Sequence, residues 1–317
     1  VAHILANEYG HILEPTNYVR GVAMSGRLRL HALDDRYPDP STDLAAIVDP
    51  LLTEASFNTL STSDGSKHAG LIWADELSET TGDARYADFL LRLANLYLTS
   101  RSDGFPEPVD ADHRVEDLFF VGAIVGRAFT ITGDPRYADA MASVFEKVHA
   151  QPDTGLFWHC TASPYYWGRG NAFAALGFAE ALTTLPKDHA SRDALIEKHT
   201  AHLNALITHQ DRSGAWHQVI NRPDSYLELT ATAMLGYTVA RGIQLGYLEN
   251  GFESVVDLAW SGVSERVDDD GNVYDSCTGT GPLSSLQEYL DRPTENCHDD
   301  RGGSMALWFA TEYERLR

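Results

Sequence analysis

The phrase "TTGDARYADFL", Thr80–Leu90, returns about fifty residues later as "TITGDPRYADAM", Thr130–Met141. A recurrence at that spacing marks a repeated supersecondary unit. Gly82 and Gly133 suit the left-handed residue that ends one helix. Asp83 and Asp134 suit the cap of the next, and Pro135 suits its first turn. Tyr86 and Tyr137 are expected to pack back over the join. Each copy is therefore a tight helix–turn–helix, and the fold follows from what surrounds it.

Apolar periodicity continues on both sides. "AGLIWADELSE" and "DLFFVGAIVGRAFTI" precede the two joins, and "FLLRLANLYLTS" and "AMASVFEKVHA" follow them. Further helical patterns lie near Asn17–Leu33, Thr42–Asn58, Arg169–Leu185, Arg192–Gln210, Ser225–Leu245, Ser254–Val267 and Gly302–Arg315. That makes eleven helices, with room for a twelfth, in an all-α chain. Antiparallel helix pairs along one chain make a bundle, a solenoid or a closed ring. Short β-leaning stretches interrupt the pattern at "GLFWHCTAS" and "GAWHQVI", and "RVDDDGNVYDS" has the Asp-Gly-Asn turn of a hairpin. Composition does not shift along the 317 residues, and no Ser/Gly/Pro-rich linker divides them, so residues 1–317 are expected to form one domain.

Composition removes several classes of function. The formal net charge is −22. A nucleic-acid partner is not expected, because phosphate neutralisation needs clustered Lys and Arg. A membrane span is not expected either, since every long apolar run carries charges or turn signals. "VAHILANEYGH" lacks the basic flank and apolar run of a signal peptide. The three cysteines, Cys160, Cys277 and Cys297, have no zinc-ligand spacing, and a Cys277–Cys297 bridge is left open. Asp268, Asp269 and Asp270 miss the calcium-loop pattern, with Arg266 at the first ligand position and no downstream Glu. No metal and no organic cofactor is expected.

Nucleotide-loop, zinc-protease and serine-hydrolase motifs are absent. What remains is a set of acidic, aromatic and basic residues at helix entrances. Asp117, in "HRVEDLFFVG", heads an apolar helix. It is either a first-turn residue that compensates the helix dipole, or a carboxyl whose pKa an apolar pocket raises so that it donates a proton. Its neighbour Glu116 is equally placed to be a solvent-facing cap. Asp64, in "STSDGSKHAGLI", is a helix cap or a second functional carboxyl. His159 in "LFWHC" is a core histidine or a sugar contact. Trp167 and Arg169, in "SPYYWGRGNAFAALGFAEAL", combine a ring that stacks on sugar C–H surface with a fork that binds a carboxylate. Trp216 and His217, in "SGAWHQV", repeat that chemistry on a second loop.

"TSDGSKHAGLI", "VEDLFFVGAIVGRAFTITGD", "GLFWHC", "WGRGNAFAALGFAEAL", "SGAWHQVINRPDSYLELTATAMLGYTVARGI" and "VDDDGNVYDSCTGTG" follow one another from about Asp64 to the C-terminus. In that order they resemble the unsaturated rhamnogalacturonyl hydrolases of glycoside hydrolase family 105 and, more distantly, the unsaturated glucuronyl hydrolases of family 88. The resemblance implies an (α/α)6 barrel of six helical hairpins in a ring, with short β-hairpin loops at the mouth that holds the active site. It implies a small oligosaccharide substrate, left by a polysaccharide lyase of the rhamnogalacturonan or ulvan type, whose terminal uronic acid carries a C4=C5 double bond. An Asp protonates C4, and water deprotonated by the same carboxylate adds at C5. The resulting hemiketal opens and the glycosidic bond breaks. The separation rule for the two carboxylates of ordinary glycosidases does not carry over.

On this resemblance the acid/base residue falls on Asp117 and a second important Asp on Asp64. Sugar contacts fall on His159, Trp167, Arg169, Trp216 and His217. "SDGSKHAG" departs from the usual pattern at Gly65, Lys67 and His68, and Phe173 stands where Trp is common. Import of small oligosaccharides before cleavage points to the cytoplasm, with secretion as the alternative. Two other classes use similar helices: the N-acylglucosamine 2-epimerases, with His as acid/base groups, and non-enzymatic helical-repeat binding proteins. The "RGN" and "PDSYLE" phrases do not suit the first, and the recurrence of the "TGD" join alone does not suit the second.

Overall fold

Both repeated joins form as their residues dictate. In the computed structural model, which describes residues 1–317 apart from Asn250, Gly82 and Gly133 are left-handed at φ 74° and 67°. Asp83 accepts the backbone N–H of Arg85, and Asp134 that of Arg136, so each caps the helix that follows. Tyr86 and Tyr137 reach further than the join. Their hydroxyls bond Asp49 and Asn95, at 3.1 and 2.8 Å, and so tie each hairpin to its neighbour.

Fifteen α-helices are present among the described residues. They are α1 (Ala2–Glu8), α2 (Tyr18–Leu33), α3 (Ser41–Val48), α4 (Glu54–Leu60), α5 (Gly65–His68), α6 (Ala74–Thr81), α7 (Ala84–Ala94), α8 (Asp117–Thr132), α9 (Pro135–Lys147), α10 (Gly168–Thr184), α11 (Arg192–Ile207), α12 (Leu229–Gln244), α13 (Glu253–Ser264), α14 (Leu286–Leu290) and α15 (Asp300–Leu316). Twelve build the barrel. An inner ring runs α2, α6 with the short turns before it, α8, α10, α12 and α15, and α15 packs back on α2. Outside it α3 lies on α6, α7 on α6 and α8, α9 on α8, α11 on α10, α13 on α12, and α1 closes between α15 and α2. This is the expected (α/α)6 barrel. The three extra helices, α4, α5 and α14, are short. The pattern over Thr42–Asn58 breaks into α3 and α4, with Pro50 in a 3-10 turn between them.

The inner helices α8, α10, α12 and α15 are buried round most of their length, as a barrel core requires. Residues Asp117 to Ala128 of α8, and Gly168 to Leu182 of α10, are buried without a break. These two helices approach through glycine. A Cβ at Gly177 would lie 2.5 Å from the Leu118 carbonyl carbon, and one at Gly122 would lie 2.7 Å from the Gly177 oxygen.

The strand expectations need two corrections. "GLFWHCTAS" forms only one isolated bridge, Cys160 to Ser163. Val273–Cys277 (β3) pairs mainly with the distant Thr294–Cys297 (β4), and the Asp-Gly-Asn turn contributes a single bridge, Val267 to Val273. Trp216–His217 (β1) pairs with Leu227–Glu228 (β2). The β3–β4 ladder sets Cys277 opposite Thr294 and Cys297 opposite Val273, so the two cysteines are not bridged; all three are free.

The barrel's two ends differ in chemistry. The floor, towards the C-terminal ends of α2, α8, α10, α12 and α15 and at the first turn of α6, is a buried ionic cluster. Arg29 pairs with Glu76 at 2.7 Å, Arg127 with Asp75 at 3.0 Å and Glu180 at 3.1 Å, and Arg241 with Glu312 at 2.9 Å. The Tyr237 hydroxyl donates to Glu180 at 2.6 Å and accepts from Arg29 and Arg241. The mouth gathers the N-termini of α2, α5, α8, α10 and α15 around one cleft.

Candidate active site

The cleft has a volume of about 200 Å3. Asp64, Asp110, Glu116 and Asp117 supply its acids, Arg114, Arg169 and Arg301 its bases, and Tyr18, Phe120, Trp167 and Phe173 its aromatic wall. A second hollow of about 240 Å3, lined by Phe105, Phe157 and Trp158, lies against it, and Asp117 and Arg114 line both.

Asp117 begins α8 yet does not cap it. Its Oδ2 accepts the Asp110 N–H at 2.9 Å, and the side chain is only 7% exposed. Burial drives its pKa up to about 8; the Asp110 N–H opposes this, and the Glu116 and Asp110 carboxylates add to it. It is therefore a protonated acid near neutral pH. Asp64 sits at the exposed rim and is the N-cap of α5, accepting the Ser66 N–H at 2.9 Å. Of the departures beside it, Gly65 lines the cleft and His68 does not. His68 is buried between the Tyr97 hydroxyl and the Leu60 carbonyl, at 3.0 and 2.8 Å, and Gly65 packs under Phe120.

Glu116 is the residue that the sequence reading set aside. It is no solvent-facing cap. Its Oε1 lies 3.0 Å from His159 Nε2, while Oε2 is buried without a partner. His159, fully buried, also meets the Tyr289 hydroxyl through Nδ1 and lies 4.5 Å, centroid to centroid, from Trp167. Tyr289 belongs to α14, 130 residues away, so no local pattern announces this chain of contacts. The adjacent acid pair Glu116-Asp117 was the one available signal.

Trp167 and Arg169 both line the cleft. Arg169 is 2% exposed and lies 4.8 Å from the Trp167 ring centre. Its Nη1 donates to the Cys277 carbonyl at 2.5 Å and its Nη2 to that of Thr278 at 2.7 Å. Trp216 and His217 do not line the cleft. The Trp216 indole is buried and donates to the Leu206 carbonyl at 2.7 Å, and His217 Nδ1 is 2.6 Å from the Ser225 carbonyl. Their strand instead buttresses α10, whose Gly168 N–H donates to the Gln218 carbonyl at 2.6 Å. No group of three or more His, Cys, Asp or Glu with metal-holding geometry occurs among the described residues.

A ring of helical hairpins whose mouth gathers a buried Asp, an indole and three guanidinium groups into one cleft defines an (α/α)6 barrel with a polar site at one end. The family is set by the sequence profile of Glycosyl Hydrolase Family 88, which matches residues 16–317. The chain belongs to that family. It is 30% identical over 176 residues to the unsaturated rhamnogalacturonyl hydrolase YesR of Bacillus subtilis, covering 53% of this chain and 48% of that protein. It is 31% identical over 171 residues to an unsaturated 3S-rhamnoglycuronyl hydrolase of Alteromonas, covering 49% of this chain and 41% of the relative. The matches thus span less than half the length of either. Among solved structures, a family 105 glycoside hydrolase of C. acetobutylicum superposes with a TM-score of 0.79 at 20% identity, covering 98% of this chain and 100% of the other. The unsaturated glucuronyl hydrolase of Bacillus sp. GL1 superposes with a TM-score of 0.68 at 15% identity, covering 95% and 87%. These likenesses are of fold. No helix among the described residues is long and apolar enough to cross a membrane.

Proposed function

We propose that this chain removes the terminal 4,5-unsaturated uronic acid from small lyase-generated oligosaccharides of the rhamnogalacturonan or ulvan type. The observation that carries the reading is Asp117, a carboxyl at the cleft wall whose pKa stands near 8. In the proposed reaction Asp117 gives its proton to C4. The resulting carboxylate takes a proton from water as that water adds at C5, and the hemiketal collapses. Trp167 stacks on the sugar ring, Asp64 holds hydroxyls at the rim, and His159 acts from behind through Glu116 and Trp167. Trp216 and His217 stay outside the proposed contact set because they do not line the cleft. The names of the relatives support this substrate class, and the contiguous buried core supports one catalytic domain over residues 1–317. Small lyase products are imported before cleavage, and on that ground we assign the activity to the cytoplasm.

The ultraviolet absorbance of the conjugated double bond tests this. The protein should abolish it on lyase-digested pectin or ulvan, and persistence of that absorbance across a panel of lyase products would sink the reading. A second reading exchanges roles within the acid pair, because Glu116 lines the cleft with one carboxylate oxygen buried and unpartnered. Asp117→Asn and Glu116→Gln separate the two. The donor's amide should keep the fold and lose on the order of 10³ in turnover. The other should lose clearly less.

A further inference from the structure

A uronate entering this cleft brings a negative charge to a site that already holds four acids, on a chain of net charge −22. Its carboxylate needs a guanidinium with free donors. Arg169 is poorly placed for that. Its two terminal nitrogens bond the Cys277 and Thr278 carbonyls, and Nη1 lies 4.0 Å from the buried Glu228 carboxylate. Those bonds fix the segment that carries Gly279 and Thr280 into the cleft wall. Arg292 grips the same segment from its other side, through the Thr278 and Thr280 hydroxyls at 2.9 and 3.2 Å. Arg114 pairs with Asp110 through Nε alone, at 3.2 Å, from an exposed position on the proton-donor side between the two hollows, where no buried group aims its fork.

Arg301 has an open fork that a buried carboxylate aims. It lies in the first turn of α15, is 35% exposed, and faces the cleft. One bond aims it, from Nη1 to Asp299 Oδ1 at 3.0 Å. Asp299 is itself buried and held at its other oxygen by the Gly302 N–H and the Ser276 hydroxyl, at 3.0 and 2.6 Å. The rest of the Arg301 fork has no side-chain or backbone acceptor among the described residues. Its Nη2 passes over Gly279, where an added Cβ would lie 3.1 Å away. The Tyr18 hydroxyl at the cleft wall is close enough to feel both Arg169 and Arg301.

We propose that Arg301 is the residue that binds the uronate carboxylate, and that Arg169 is a positioning residue that shapes the wall beside it. This rests on the activity proposed above. A fork oriented by one carboxylate and open at its other edge suits a second, bidentate carboxylate. The cleft should then prefer a free uronic acid to its uncharged methyl ester, and the preference should depend on Arg301.

The test compares a lyase-generated unsaturated disaccharide with its methyl ester. Wild type should favour the acid in kcat/KM. Arg301→Gln should raise KM for the acid on the order of tenfold or more and bring the two substrates close together. Gly279→Ala, which crowds Arg301 without removing its charge, should move the ratio the same way. Arg169→Lys should lower both substrates alike and lower the melting temperature. An acid preference kept in a folded Arg301→Gln variant would overturn the proposal, as would a preference lost in Arg114→Gln instead. Calorimetric binding of glucuronate and methyl glucuronate runs in parallel. If neither disaccharide is turned over, the proposed activity has failed. Acid-selective binding lost with Arg301 then still supports the carboxylate site, and selectivity kept without Arg301, or no selectivity in wild type, overturns it.

Discussion

At the scale of single residues, Asp117 ties stability to function through one proton. Its folded pKa of about 8 lies above the usual 3.8. A group raised in this way is most favourable to folding below the lower value, and its contribution is lost as pH rises through the upper one. Two outcomes follow if Asp117 is the donor. The rate constant kcat/KM should fall on the alkaline side as pH passes about 8, where the acid form disappears. The stability of Asp117→Asn relative to wild type should rise with pH between about 4 and 8, read from urea midpoints, because the variant has no charge to bury. A rate profile flat through pH 8 in wild type would shift the donor role to Glu116. Bland and functional readings of a carboxyl at a helix head look alike in sequence. The structure separates them by the partner: Asp64 accepts its own helix's N–H, and Asp117 accepts one from Asp110, outside its helix.

At the scale of elements, glycine has two distinct jobs. At the joins it supplies backbone freedom, and a Cβ at Gly133 would meet nothing within 4 Å. Gly133→Ala should therefore cost only the left-handed strain, about 1 kcal/mol. Between α8 and α10 it supplies closeness. Gly177→Ala would drive a Cβ into the Leu118 backbone, which cannot swing aside as a side chain can. The helices must part, at a cost of roughly 1–3 kcal/mol. They carry Asp117 and Trp167 at their heads, so Gly177→Ala should also lower turnover. Paired denaturation and kinetic measurements on both variants check the ordering, and equal stability losses would contradict it.

At the scale of the whole molecule, the barrel buries charge at its floor and neutral histidine in its wall. Burial opposes ionisation of Glu180, but Arg127, Arg29 and Arg241 outweigh it and hold its pKa down to about 2. His199 and His202 lie between α11 and α10. His199 stacks on Phe178 with neither ring nitrogen partnered, and His202 touches Asn171 at 3.2 Å. Burial lowers both pKa values, that of His202 to about 3. A histidine depressed in this way is protonated in the unfolded chain before the folded one, so stability is lost as pH falls below about 6.5. Each such group costs up to about 1.4 kcal/mol per pH unit within that window. The rise of Asp117 acts in the opposite direction, so the difference between wild type and a variant is the cleaner measure. His199→Leu should gain on wild type steadily as pH drops from 6.5 towards 4; a constant difference would mean that His199 titrates normally.

Helix periodicity and the capped "TGD" joins determined the helical hairpins, and the choice of a closed ring over a bundle or solenoid came from the family resemblance. The hairpin signals are each a local property that neighbours in sequence can satisfy. The same holds for Asp117 and Asp64 as candidates, since a carboxyl before an apolar run is visible in a line of text. Tertiary structure alone decided which candidates share a cleft. Trp216 and Trp167 are equal candidates for a sugar platform in sequence, yet one indole is spent on the Leu206 carbonyl and the other lines the mouth. Glu116 acquires its role from His159 and Tyr289, brought from the loop before α10 and from α14. Arg169 loses two of its donors to carbonyls 108 and 109 residues away. Hydrogen-bond partners at such distances are chosen by ring closure of the barrel, which a sequence pattern of period 3.6 does not encode.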